Sequence, residues 1–307
     1  MRVSTANMPS EPLTERGLPA WVQALPLAAV FAIFFVVPLF LTVMVSFWNY
    51  NAYEILPDFT ARNYLEAFEG CLDRLLATAP ELCTTLKTYL TTLRIAIMVW
   101  LITLILGFAI AYFLAFHVGS LSVQIVLFLI CTIPFWTSNV IRMISWIPLL
   151  GRNGLINQTL LQLHVIKQPL EWLLFSDFAV ILAFVHLYTL FMIVPIFNSM
   201  MRIDRSLVEA ATDAGASGWQ TLANVIIPLS KTGIVIGSIF VLTIVMGDFV
   251  TIGVMGGQQI ASVGKMINTQ MGALQFPPAA AHAVILLATV LMSIWGLTRL
   301  VDIRKEL

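Results

Sequence analysis

Residues 26–48 read PLAAVFAIFFVVPLFLTVMVSFW, and the chain carries no Asp, Glu, Lys or Arg between Arg16 and Glu54. Because the hydrocarbon core of a bilayer is about 30 Å thick, a helix needs roughly 20 apolar residues to cross it. The run therefore predicts a membrane-spanning helix. It is longer than the apolar region of a secretory signal, roughly 7–15 residues, and no small-residue cleavage site follows it, so we interpret it as an anchor.

Apolar, charge-poor sequence continues through the rest of the chain. Of the 307 residues, 59% are hydrophobic and 10% are charged, and the mean hydropathy is +0.93. Soluble domains have about 25% charged residues, so this composition indicates a bilayer as the solvent. The formal net charge is zero and gives no indication of a nucleic-acid partner.

Further charge-free runs predict the remaining spans. The stretch between Arg94 and Arg142 has room for two spans, and His117–Ser120 predicts the turn between them. Three more predicted spans are 178–201, 232–251 and 278–298. The expected fold class is an all-α membrane protein with six transmembrane helices.

The predicted transmembrane domain occupies residues 24–300, between an N-terminal tail, 1–23, and a C-terminal tail, 301–307. Lys and Arg divide almost evenly between the two sets of loops. The positive-inside rule therefore leaves the orientation open.

The polar segment between the fourth and fifth predicted spans, residues 202–228, reads RIDRSLVEAATDAGASGWQTLANVIIP. Ser206 with Glu209 three residues later predicts a capping box, and Gly215 can end the helix that follows. Pro228 predicts the end of a second short helix. The segment thus predicts two short helices outside the lipid, with small side chains at a protein contact and charge from Glu209 and Asp213.

The spacing of this segment is similar to the EAA loop of ABC importer permeases, and the chain resembles that family. The positions that carry the resemblance are Glu209, Ala210, Ala211, Gly215, Val225, Ile227 and Pro228. Val225 and Ile227 stand where the family usually has Ile and Leu. An ordinary amphipathic connector helix is the alternative interpretation.

The resemblance implies that loop 202–231 is cytoplasmic and forms a coupling helix that docks on an ATPase subunit, with Glu209, Ala210, Ala211, Asp213, Gly215 and Pro228 at the contact. Both termini would then be cytoplasmic, in a bacterial inner membrane. The implied partners are an ATPase dimer, a second permease subunit and a periplasmic substrate-binding protein, besides membrane lipid.

A narrower resemblance is to the spermidine/putrescine branch of these permeases. It rests on Pro134–Arg142, on Trp146, on Leu149–Asn157 and on Gly247–Thr251 followed by Gly256 and Gly257. Pro277-Pro278 departs from the Trp-Pro expected there. The resemblance implies a polyamine substrate and a second permease that is a paralogue, and relatives of this branch also carry amino-acid derivatives and opines.

A polyamine path needs carboxylates or carbonyls for charge and aromatic faces for cation–π contact. Asp248 interrupts an apolar span, where a carboxylate is costly unless it faces the pathway. The aromatic candidates are Phe135, Trp136, Trp146 and Tyr188. For the aromatic residues, the alternative is a place in an interfacial aromatic belt or in ordinary packing. For Asp248, the alternative is a carboxylate at a helix end that pairs with a neighbour such as Arg142. We interpret His186 and His282 as packed histidines.

No phosphate-binding loop of the form G-x-x-x-x-G-K-[S/T] occurs. The dipeptide Gly264-Lys265 has no Gly five positions before Gly264 and no Ser or Thr after Lys265. We therefore expect no cofactor in this chain, with ATP and Mg²⁺ bound by the partner ATPase. No catalytic constellation or metal-spaced cluster is found, so a transport subunit is favoured over an intramembrane enzyme. The competing class is an ion-driven secondary transporter, which tends to show inverted repeats; the sequence has no convincing repeat.

Cys71 and Cys83 fall in loop 49–89, which on this topology faces an oxidising compartment where disulfides persist. A bridge between them is the favoured interpretation, and two unpaired thiols packed against neighbouring loops are the alternative. Cys131 lies in a predicted span and should remain a free thiol.

Overall fold

The computed structural model describes residues 20–51, 54–69, 71 and 82–299. The predicted tail 301–307 and most of the tail 1–23 lie outside the described residues. The chain divides into two units, Met1–Met44 and Val45–Leu307. The α-helices of the described residues are α1 (Ala20–Phe31), α2 (Val37–Ser46), α3 (Arg62–Ala67), α4 (Thr84–Tyr112), α5 (Leu121–Thr132), α6 (Asn139–Ile144), α7 (Ile147–Leu150), α8 (Leu155–Gln162), α9 (Asp177–Met200), α10 (Arg205–Asp213), α11 (Gly218–Thr221), α12 (Ile227–Leu229), α13 (Lys231–Gly247), α14 (Val250–Met255), α15 (Val263–Gly272) and α16 (Phe276–Arg299).

Short stretches of other helix types join several of these elements. They are π-helical at Ala32–Val36, Phe113–His117 and Leu222–Ile226, and 3₁₀-helical at Ile133–Trp136 and Glu171–Leu173. The break predicted at His117–Ser120 is confirmed, since residues 118–120 belong to no helix.

Four helices among the described residues are long and apolar enough to cross a membrane: Val22–Ser46, Thr84–His117, Glu171–Met200 and Phe276–Arg299. Two bent pairs, Leu121–Trp136 with Asn139–Gln162 (91°) and Gly218–Leu229 with Lys231–Gly247 (67°), bring the count to six if each pair is one span. The helical membrane fold is therefore as predicted, and the count lies between four and six.

The prediction of a fifth span over residues 232–251 is wrong at its C-terminal end. Helix α13 stops at Gly247, and a separate short helix, α14, starts at Val250. Asp248 therefore lies at a break between two helices and does not interrupt one. The break has a local cause, because Asp248 Oδ1 accepts the backbone N–H of Thr251 (2.9 Å) at the start of α14, where helix N–H groups lack intrahelical partners.

The core of the second unit forms where α4, α9 and α13 pack together. Fully buried side chains of α9, including Phe184, Met192 and Ile196, occupy its centre. Small residues on the neighbouring helices allow this approach: a Cβ on Gly107 of α4 would lie 2.8 Å from Met192 Cγ. Close helix packing through glycine is a common feature of membrane proteins.

A polar substructure follows α2. Strands β1 (Asn49–Tyr50) and β2 (Ile55–Leu56) form an antiparallel hairpin. Asn63 of α3 donates Nδ2–H bonds to the carbonyl oxygens of Ser46 (2.9 Å) and Trp48 (2.8 Å), which fixes α3 beneath the hairpin's first strand.

The structure joins Cys71 and Cys83 in a disulfide with Cα atoms 4.9 Å apart, and leaves Cys131 a free thiol. Closing a loop of about a dozen residues stabilises a fold by roughly 3 kcal/mol in the chain-entropy model. We expect unreduced protein treated with an alkylating reagent to carry the label on Cys131 alone, read by mass spectrometry. Two labelled cysteines in the 71–83 peptide would contradict the bridge in the cell.

Candidate functional site

The predicted coupling segment forms two short helices, α10 and the continuous helix 218–229, as expected. The N-cap of α10 is Asp204 and not Ser206, because the Asp204 carboxylate accepts the Ser206 N–H (3.0 Å). That hydrogen bond also lowers the pKa of Asp204 below its usual value. The capping box lies at the second helix, where Ser217 and Gln220 bond each other's backbone N–H groups.

Gly215 separates the two helices in the left-handed conformation, with φ of +83°. The N–H of Ala216 reaches back to the Ala211 carbonyl (3.0 Å) and that of Gly215 to Thr212 (2.9 Å). These bonds satisfy carbonyls at the end of α10, as in glycine-terminated helices. The prediction that Gly215 ends this helix is therefore confirmed.

Pro228 stands one residue before the last residue of the second helix, so the end predicted there is confirmed to within one residue. The π-helical turn Leu222–Ile226 precedes it, Pro228 stands in the first turn of α12, and helical backbone continues to Leu229. The segment turns at Ser230, which separates it from α13.

The outer face of α10 and α11 is exposed and mixed in character. Glu209, Ala210 and Asp213 are exposed and Ala211 is half-buried. Beside them, Trp219 is 73% exposed and Leu207 is 47% exposed. Tryptophan is enriched at protein interfaces, and Trp219 is an exposed side chain beside the motif that the motif itself did not single out.

A second cluster surrounds Asp248. The Tyr188 hydroxyl donates to Asp248 Oδ2 (2.6 Å), and Thr251 Oγ1 donates to the same oxygen (2.7 Å). Tyr188 belongs to α9 and is buried, so the bond ties the break after α13 to the central helix. Among the described residues Asp248 forms no ion pair with Arg142, which was the predicted alternative partner.

Phe135 and Arg142 lie next to this cluster. The Phe135 ring meets Phe191 edge to face (centroids 4.9 Å apart), and Phe191 contacts the ring of Tyr188 (6.0 Å). The Arg142 guanidinium lies 5.6 Å from the Phe135 centroid. An apolar cleft of about 210 Å³ opens beside these rings, lined by Phe135, Leu190, Phe191, Val194, Pro195 and Phe240.

The two tryptophan candidates differ in their contacts: Trp146 bonds a histidine of α9, whereas Trp136 is exposed. Trp146 Nε1 donates to His186 Nδ1 (2.9 Å), with the rings edge to face. His186 is exposed on α9, so its interpretation as a packed histidine is wrong, whereas His282 is buried beside Tyr89. Trp136 is 86% exposed and makes no ring contact or hydrogen bond with this cluster among the described residues.

The chain is similar to known proteins in family, sequence and fold. Residues 104–305 match the family described as binding-protein-dependent transport system inner membrane component. The chain is 34% identical over 225 residues to the spermidine/putrescine transport system permease protein PotB of Escherichia coli, covering 72% of this chain and 81% of that protein. It is 30% identical over 209 residues to the inner membrane ABC transporter permease protein YdcU of the same organism, covering 64% and 66%.

The fold is similar to that of solved transporters. A bacterial ABC transporter involved in the import of the acidic polysaccharide alginate matches with a TM-score of 0.64 at 17% identity, over 91% of this chain and 93% of that one. The alginate transporter in complex with an alginate pentasaccharide-bound periplasmic protein matches with a TM-score of 0.63 at 16% identity, over 91% and 92%. At 16% and 17% sequence identity, the similarity to these transporters is a similarity of fold alone.

The family match and the PotB relatives confirm the resemblance read from Glu209, Ala210, Ala211 and Gly215. The family match covers about two-thirds of the sequence, including α9, the coupling segment and α13. The chain belongs to the family of binding-protein-dependent transport system inner membrane components, the permease subunits of ABC importers.

Proposed function

We propose that the chain is the membrane-spanning permease subunit of an ATP-driven importer for a small organic solute with ammonium groups. A polyamine such as spermidine or putrescine is the solute named for PotB. A soluble periplasmic protein delivers the solute, a second permease of different sequence completes the path, and a separate ATPase dimer supplies the free energy.

The observation that carries this proposal is the coupling segment in its family context. Two short helices with exposed small residues, carboxylates and Trp219 lie between α9 and α13, the helices of the core. A protein docked on them can act on both core helices at once. ATP binding shifts the transporter between conformations only through its different affinity for each, and this segment is the place where that difference would be transmitted.

The proposed topology has six spans. In the second bent pair, Lys231–Gly247 crosses the membrane and Gly218–Leu229 stays outside it. Segment 202–231 is then cytoplasmic, with both termini on the same side of a bacterial inner membrane. The hairpin and the Cys71–Cys83 bridge lie on the outer side, where an oxidising compartment maintains disulfides.

For the solute, the Asp248 cluster supplies the chemistry. A carboxylate has about four acceptor positions, of which the Tyr188 hydroxyl and the two Thr251 donors fill three. One position remains for an ammonium group.

We expect the chain purified from its native membrane in mild detergent to bring an ATPase and a second permease with it. ATP hydrolysis by the complex should rise several-fold when the loaded binding protein is added, because docking completes the importing conformation. Purified empty complex without binding protein is the control. A chain that purifies alone and transports solute in response to an ion gradient would contradict the proposal.

A further inference from the structure

A polar pocket opens on the surface that the β-hairpin, α3 and the turn before α16 form together. Its volume is about 280 Å³, and the residues that line it are all polar, among them Tyr50, Arg62, Glu66 and Gln275. Arg62 and Glu66 form an exposed ion pair there. In the proposed topology this surface lies on the outer side of the membrane, opposite segment 202–231. It therefore faces the compartment from which the solute arrives.

Two exposed leucines stand beside this pocket. Leu65 is 73% exposed and follows Arg62 by three residues on the same face of α3. Leu274 is 72% exposed and precedes Gln275 in the turn between α15 and α16. A single exposed leucine is common on a protein surface. Two of them beside one polar pocket give this surface the apolar contacts that a protein partner needs.

The backbone of Leu274 is a second, independent observation. Leu274 has φ of +61°, in the left-handed region that costs a residue with a Cβ roughly 1–2 kcal/mol. Its exposed side chain gains no burial in this chain that would offset the cost. Strained backbone of this kind is concentrated at functional sites. The turn thus presents a leucine to solvent at a cost in stability, which a contact with a partner explains.

The charge of this surface indicates which partner covers it. The whole chain is neutral, but segment 47–69 carries four acidic residues and one basic residue, a formal net charge of −3. All five side chains are exposed: Glu54, Asp58, Arg62, Glu66 and Glu69. Anionic lipid headgroups attract basic segments and therefore repel this one. A soluble protein with a basic face is complementary to it, and such complementarity guides association.

We propose that the outer docking surface, formed by Leu65, Leu274, the pocket between them and acidic segment 47–69, binds the soluble substrate-binding protein. The face that docks there carries lysine or arginine side chains around a small apolar contact. An apolar centre with a polar rim is the usual arrangement of a protein interface. This inference rests on the proposed function and identifies where on this chain the delivering protein docks.

The leucines are tested with the soluble protein that stimulates ATP hydrolysis by the assembled transporter in lipid nanodiscs. We expect the double variant Leu65→Gln with Leu274→Asn to bind this protein about ten-fold more weakly by biolayer interferometry. Asparagine suits the left-handed backbone and glutamine is a good helix former, so the melting temperature should not fall. Leu121→Gln, at a 66% exposed leucine on the opposite side, is the matched control and should leave the affinity unchanged.

The acidic charge is tested by salt. We expect the wild-type affinity to fall several-fold between about 50 and about 300 mM NaCl, because salt screens exposed charges. The double variant Glu54→Lys with Glu69→Lys should bind weakly already at low salt and change little with added salt. A wild-type affinity that does not depend on salt would contradict the basic face and overturn the inference.

The remaining outcomes are distinct. Wild-type affinity in the leucine double variant would overturn the inference while stimulated ATP hydrolysis still supports the proposed function. Leucine variants that alter only the melting temperature, and do so differently in neutral and anionic nanodiscs, would assign the surface to lipid and also overturn it. A wild-type complex that no soluble binding protein stimulates would contradict the proposed function, and the inference with it.

Discussion

Gly215→Glu is expected to abolish the stimulation of ATP hydrolysis by the binding protein while the subunit still inserts and accumulates in the membrane. Gly215 has φ of +83°, which costs any residue with a Cβ roughly 1–2 kcal/mol. Its surroundings are open, with nothing within 4 Å of an added Cβ. The side chain would therefore be tolerated sterically, and the damage would fall on the turn that sets the angle between α10 and α11.

Two controls separate the turn from the added charge. Gly215→Asn should retain most of the stimulation, because asparagine enters the left-handed region several-fold more readily than other non-glycine residues. Gly218→Glu places the same charge three residues away, also in open space and without a positive φ, so its loss of stimulation should be smaller.

Glu209→Lys tests the surface itself and should also remove the stimulation, since it reverses a charge on the exposed face beside Ala210. Glu209→Gln, which keeps the shape, should act more weakly. The measurement is ATP hydrolysis by the reconstituted complex with and without loaded binding protein. Full stimulation in both Gly215→Glu and Glu209→Lys would remove the basis for assigning this segment to ATPase coupling.

The spans and the coupling segment could be predicted because their signals are local. A charge-free run of about 20 residues has one stable solution in a bilayer, and Gly215 needs a left-handed backbone wherever the rest of the chain lies. The choice between Asp204 and Ser206 as N-cap is less certain from sequence, since both side chains favour that position. Here the carboxylate two residues earlier takes it.

The end of the fifth predicted span illustrates what apolar content cannot show. Apart from Asp248, the sequence from Thr232 to Met255 carries no charge, yet the helix stops at Gly247. The stop depends on Asp248 bonding both Thr251, which is local, and Tyr188, which is 60 residues away. An Asp followed three residues later by Thr was a readable signal for a new helix start; the contact with α9 was not. The burial of Arg142 Nε without a partner likewise emerges only from the tertiary structure.

Gly233→Leu is expected to prevent folding of the membrane subunit, because Gly233 lies where α13 crosses α9. A Cβ there would meet the Pro195 carbonyl oxygen, with Ser199 Cβ at 2.7 Å and Ile196 Cα at 2.9 Å. Two of these three atoms are backbone and cannot rotate away, so the helices must separate. Overpacking costs typically 1–3 kcal/mol where side chains can adjust, and we expect more than about 3 kcal/mol here.

Gly107→Ala provides the graded comparison, since its added Cβ meets only the Met192 side chain at less than 3 Å. Methionine is flexible and fills irregular gaps, so this variant should fold with a modest loss of thermal stability. Gly296→Leu, in α16 with nothing within 4 Å, should behave as wild type. Size-exclusion profiles and melting curves in detergent give the ranking. If Gly233→Leu were as stable as Gly296→Leu, the close crossing of α9 and α13 would be wrong, and with it the path by which movement of the coupling segment reaches Tyr188 and Asp248.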